Sequence, residues 1–91
     1  ENELVNAYER FAALSEEAKA LRDEILPGAQ NAYQAASTGF EFGKFGFLDV
    51  LETQRTLLSA RSQYLRTLAE AHRTVADIDR ILGTSHSISG Q

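Results

Sequence analysis

The chain has 91 residues, 9 of them basic and 13 acidic for a net charge of −4, with 43% apolar residues, one proline and no cysteine, methionine or tryptophan. That length suits one small domain; the missing cysteines exclude a disulfide framework and a thiolate zinc site, and the acidic balance argues against a sequence-independent grip on nucleic acid or anionic lipid. No apolar run approaches the roughly 20 residues of a membrane-spanning helix, and no N-terminal signal pattern is visible.

The first predicted element is a long helix over about 2–41. Leu4, Ala7, Phe11, Leu14, Ala18, Leu21, Ile25, Gly28, Ala32 and Ala35 recur at alternating steps of three and four, the spacing of a coiled-coil seam. Glu9, Glu16, Lys19, Arg22 and Asp23 fall between them, as a partly solvated helix requires. Pro27 interrupts the pattern chemically, because it lacks a backbone donor and its ring presses on the carbonyl four residues earlier. The seam runs through it in phase, so the expectation is a kink near 23–27 within one helix.

A turn is expected at about 42–46. Gly39-Phe40-Glu41-Phe42-Gly43-Lys44-Phe45-Gly46 packs three glycines and three phenylalanines into eight residues, a density that marks a reversal. At least one of Gly43 and Gly46 should carry a positive φ or a contact too close for a side chain. Phe40, Phe42, Phe45 and Phe47 could cap the end of the seam, but they offer more apolar surface than a hairpin tip needs, and such patches tend to be contact sites.

A second helix is predicted over about 47–82 with two apolar stripes. Val50, Leu57, Tyr64, Leu68, Ala71, Val75, Ile78 and Leu82 form one; Phe47, Leu51, Leu58, Leu65 and Leu68 form the other. Two stripes imply neighbours on two sides. Gly83 reads as a C-terminal stop, and 84–91 as a flexible, irregular Ser/Gly-rich tail. Two helices of similar length with a short connection make an all-α, antiparallel helical hairpin, which is marginal in isolation and expected to self-associate, most simply as a dimer.

Catalytic and metal chemistry find little support. Gly43-Lys44 lacks the other glycine and the Ser or Thr of a phosphate loop, since Thr38 and Phe45 stand at those places. Glu70 and His72 are two apart, not three as on the metal-binding face of a carboxylate bundle; His72 reads as a partly buried helix histidine and His86 as a solvated tail residue. No nucleophile elbow is present. No enzymatic role and no cofactor are expected. Asp49 and Glu52 lie three apart in the first turns of the second helix, and spacing alone favours helix-end electrostatics, with Gly46 as N-cap and Asp49 at the third helical position.

The run Gly39-Phe40-Glu41-Phe42-Gly43-Lys44-Phe45-Gly46-Phe47-Leu48-Asp49-Val50-Leu51-Glu52-Thr53-Gln54-Arg55-Thr56-Leu57, with Ile25-Leu26-Pro27 and Ala32-Tyr33 before it and Ala60, Tyr64-Leu65, Ala69 and Ile81-Leu82-Gly83 after it, resembles the second repeat of TolC-type outer-membrane efflux channels. Its Gly-Lys-Phe-Gly-Phe-Leu-Asp-Val-Leu form looks most like the heavy-metal, CzcC-like and CusC-like branch that serves RND cation pumps. The resemblance covers about residues 25–83. It implies that the chain is one periplasmic hairpin, over 1–83, of a longer trimeric outer-membrane protein, not itself embedded in the membrane. Its turn would meet a periplasmic adaptor through Phe42, Gly43, Lys44, Phe45 and Gly46, with the inner-membrane pump an indirect partner. Asp49 and Glu52 match the carboxylate rings of the closed pore, and Phe40 and Phe45 the gate. Phenylalanine stands at those two gate positions where the best-known member has tyrosine and arginine, so closure here would rest on packing. The alternative is a generic self-associating coiled-coil module with unrelated partners; a helical-bundle metalloenzyme is a third reading.

Overall fold

The computed structural model describes residues 2–89, with side chains through residue 84. Its elements are α1 (Glu3–Ala20), a π-helical turn (Leu21–Ile25), α2 (Leu26–Glu41) and α3 (Phe47–Ser89). The chain is all-α, a helical hairpin whose two arms meet at residues 42–46. It packs as two compact units, one of Glu1–Ala18 with Arg66–Gln91 and one of Lys19–Leu65. Within each unit two antiparallel helical segments share one seam.

In the first unit the seam residues of α1 are Leu4, Ala7, Phe11, Leu14 and Ala18, all buried or half-buried as their spacing predicts. Opposite them α3 turns in Thr67, Ala71, Thr74, Ile78 and Ile81. Ala7, Ala18 and Ala71 are small, which lets the helices approach closely. Thr67 and Thr74 are 5% and 2% exposed, burial that hydroxyls tolerate only when bonded. Thr67 Oγ1 donates to Glu17 Oε2 at 3.1 Å and Thr74 Oγ1 to the Glu70 carbonyl at 2.9 Å. The flank carries Arg10 to Asp77 at 3.2 Å and Arg80 to Glu3 at 3.5 Å, exposed pairs that set alignment more than stability.

In the second unit Leu21, 1% exposed, begins the core, and Val50, Thr53, Leu57, Ala60 and Tyr64 supply the α3 side. Here the structure corrects the predicted seam. Ile25 is 50% exposed and Gly28, Ala32 and Ala35 face outward, while Leu26, Ala29, Tyr33 and Ala36 turn in. The π turn is the cause: its i to i+5 bonding, seen in the Leu26 N–H to Leu21 carbonyl contact, adds one residue to the turn and moves the inward positions from Leu26 to Ala36 on by one. Helical backbone is continuous across Pro27, so the predicted single helix holds, with a widened turn where the proline strain was expected.

Two corrections concern α3. Val75, Leu82, Leu58, Leu65 and Phe47 are exposed, and the inward line is a strict three-four alternation through three threonines. Gly83 does not stop the helix, which continues to Ser89. Glycine ends a helix by taking left-handed φ, and among the described residues only Gly43 does so. The irregular tail is therefore helical over 84–89; Gly90, Gln91 and the side chain of His86 lie outside the described residues. Among the described residues no helix is long and apolar enough to cross a membrane.

Candidate functional site

The turn between α2 and α3 is built by backbone chemistry that the glycines permit. Gly43, at φ +75°, occupies the left-handed region. Its N–H donates to the Phe40 carbonyl at 3.0 Å and that of Lys44 to the Gly39 carbonyl at 2.7 Å, the paired bonds of a Schellman C-cap. Phe45 N–H shares the Gly39 carbonyl at 3.3 Å. Three residues later α3 opens with a matching cap: Gly46 N–H donates to Asp49 Oδ2 at 2.9 Å, and Asp49 N–H to the Gly46 carbonyl at 3.1 Å. The positive φ expected of Gly43 or Gly46 is thus at Gly43, and the cap role expected of Asp49 is made by its carboxylate.

The phenylalanines divide by role. Phe40 and Phe47 meet across the turn with ring centroids 5.7 Å apart and planes tilted by 53°, a geometry favoured by aromatic quadrupoles. Phe45 lies on Gly39, where an added β-carbon would come within 2.1 Å of Cδ2 and 2.5 Å of Cε2. In the sequence Gly39 reads only as one of the turn glycines; its role as the seat of this ring is signalled there by nothing more than the recurrence of glycine four residues before Gly43. Phe42, 74% exposed, and Leu48, 78% exposed, project from the tip.

Beside the tip two shallow depressions share Phe45. One runs along α2 past Asn31, Gln34, Thr38 and Gly39 to Phe42 and Lys44. The other brings Asp49 and Glu52 to one rim, opposite Ala32 and Ala35. Of the turn residues, Phe42, Lys44 and Phe45 thus line the first depression while Gly43 and Gly46 line neither, and the two carboxylates border the second. Phe40 and Phe45 belong to different packing pairs. His72 is exposed, not partly buried, and among the described residues no group of three His, Asp or Glu side chains is placed to hold a metal ion.

Comparison with known proteins gives this arrangement a context. Residues 2–84 match the family model described as "Outer membrane efflux protein". The chain is 45% identical over 80 residues to the cobalt-zinc-cadmium resistance protein CzcC of Cupriavidus metallidurans. That alignment covers 88% of this chain but 19% of CzcC, so the chain spans about a fifth of that relative's length. No solved structure matches the chain.

Proposed function

The chain belongs to the outer membrane efflux protein family, and on that premise we propose that it is the periplasmic tip hairpin of an outer-membrane channel exporting heavy-metal cations. It acts as a structural and gating segment, not as an enzyme. In the parent protein it assembles as part of a trimer, docks a periplasmic adaptor through Phe42, Gly43, Lys44, Phe45 and Gly46, and narrows the pore with Asp49 and Glu52. The inner-membrane pump engages only through that assembly. Similarity to CzcC supports the choice of metal cations as cargo.

The observation that carries the docking role is the apex. A β-carbon built on Gly43 meets no atom within 4 Å, so the glycine leaves an open backbone notch. Exposed Phe42 stands directly beside it. A partner helix can lay a side chain across that notch and bury the ring, gaining the roughly 1.5–3 kcal/mol of a buried large apolar side chain.

Two substitutions in the full-length protein test this. Gly43→Asn keeps a residue that tolerates left-handed φ, so helicity by circular dichroism should persist while the filled notch weakens adaptor pull-down. Phe42→Ser should weaken it without touching the turn. Undiminished capture by both variants would remove the tip from the interface.

A further inference from the structure

Residues 25–36 carry two apolar seams, one residue apart. The first, Ile25, Gly28, Ala32 and Ala35, continues the phase of α1 and faces solvent; the second, Leu26, Ala29, Tyr33 and Ala36, packs against α3. A stretch of α2 that can offer either face to a partner is unusual, because a one-residue slip turns a helix by about 100° and ordinarily brings polar groups inward. Here the alternative inward set contains no charged or hydrogen-bonding side chain.

Local geometry shows what holds the choice. In an unbroken α-helix Pro27 would press its ring on the Asp23 carbonyl and leave that carbonyl without its usual donor. The turn just before it is widened, with Leu26 N–H reaching back five residues to the Leu21 carbonyl. Inside the same turn Arg22 and Asp23, neighbours in sequence, form a two-pronged pair at 2.7 and 3.0 Å. This pair lies on the exposed outer surface of the turn.

We propose that Pro27 selects the register of the hairpin: the π turn it favours absorbs one residue and seats Leu26, Ala29, Tyr33 and Ala36, while an all-α turn would seat Ile25, Gly28, Ala32 and Ala35. The two registers differ by a rotation of α2 about its own axis, which turns Phe40 and Phe42 at its end and parts Phe40 from Phe47 and Gly39 from Phe45. Interconversion of the π turn is therefore a built-in means of re-aiming the tip rings without breaking the helix.

The absence of cysteine makes the test direct. Single cysteines at Ala35 and Ala36 are introduced into the full chain, with and without Pro27→Ala, and maleimide labelling rates are measured. With Pro27, Ala35→Cys should label faster than Ala36→Cys by about tenfold, as exposed and protected sites do. Pro27→Ala should reverse that order. A second variant deletes Glu24, removing the extra residue so that the second seam falls into phase with α1; it should keep Ala36→Cys protected without a π turn. An unchanged order in Pro27→Ala, or exposure of Ala36→Cys in the deletion, overturns the proposal, with circular dichroism establishing that the variants are helical.

Discussion

A β-carbon on Gly39 would press into the Phe45 ring at 2.1 Å, whereas one on Gly43 would meet nothing and strain only its own backbone at φ +75°. The two glycines thus serve different ends, and their substitutions should respond differently. Gly39→Ala would ordinarily gain roughly 0.5–1 kcal/mol inside a helix, but here the displaced ring reverses the sign, at a cost of about 1–3 kcal/mol. In a Phe45→Ala background the same change should become neutral or stabilising, a sign reversal that thermal unfolding of the four proteins would reveal. Gly43→Ala should lose about 1–2 kcal/mol in either background, since its penalty is backbone alone. Asp23 offers a charge-based case. Its hydrogen bond from Arg22 holds the carboxyl below its ordinary value, against a smaller opposing effect of burial. A lowered folded pKa means that the pair stabilises the fold above the usual aspartate range near about 3.9 and that this help is lost as pH falls through the folded value. Titration of Asp23 by NMR should show the depressed midpoint, and Arg22→Ala should return it to the ordinary range.

At the scale of whole helices, the α3 seam turns on threonine. Thr74 is 2% exposed and its hydroxyl returns to the Glu70 carbonyl of its own helix. Thr74→Val keeps the shape and removes a group that gains little from that local bond, so stability should change by no more than about 0.5 kcal/mol or rise slightly, whereas Thr74→Ala should lose about 1 kcal/mol to the vacated volume. Denaturant titration separates the two. The same threonines explain what could be read beforehand. Periodicity of large apolar residues located both helices, the turn and the α1 seam as far as Leu21, because there each inward position is apolar. It misread α3, where Thr53, Thr67 and Thr74 complete the inward alternation and Leu58 and Leu65 lie outside it. Beyond Leu21 two apolar phases coexist one residue apart, and the widened turn that separates them is a backbone feature that hydropathy does not encode. At the tip, the left-handed glycine and the Asp49 cap followed from residue type and spacing; the Phe45 ring on Gly39 is a contact between turn and helix that no local pattern specifies.

In the channel proposed above, the carboxylates pose the sharpest question, because the hairpin gives them unequal freedom. Asp49 is engaged by the Gly46 N–H at 2.9 Å and completes the start of α3, so part of its charge is already neutralised by backbone donors. Glu52, one turn further along and exposed, has a longer arm on the same rim. Around a threefold axis, three copies of each would place six carboxylates near one constriction. Like charges close together at reduced dielectric repel, and divalent cations relieve the repulsion through oxygen ligation. Unequal freedom then predicts unequal effects. Glu52→Gln in the full-length channel should relieve most of the block by periplasmic divalent cations in single-channel recording while leaving helicity unchanged. Asp49→Asn should relieve less of it, but should lose about 0.3–1 kcal/mol of helix-end stabilisation. Helix-end electrostatics acting alone predicts the same stability loss in the Asp49 variant but no change in conductance from either substitution. Block that persists undiminished in the Asp49→Asn/Glu52→Gln double variant would remove both residues from the pore and leave Asp49 as the cap of α3.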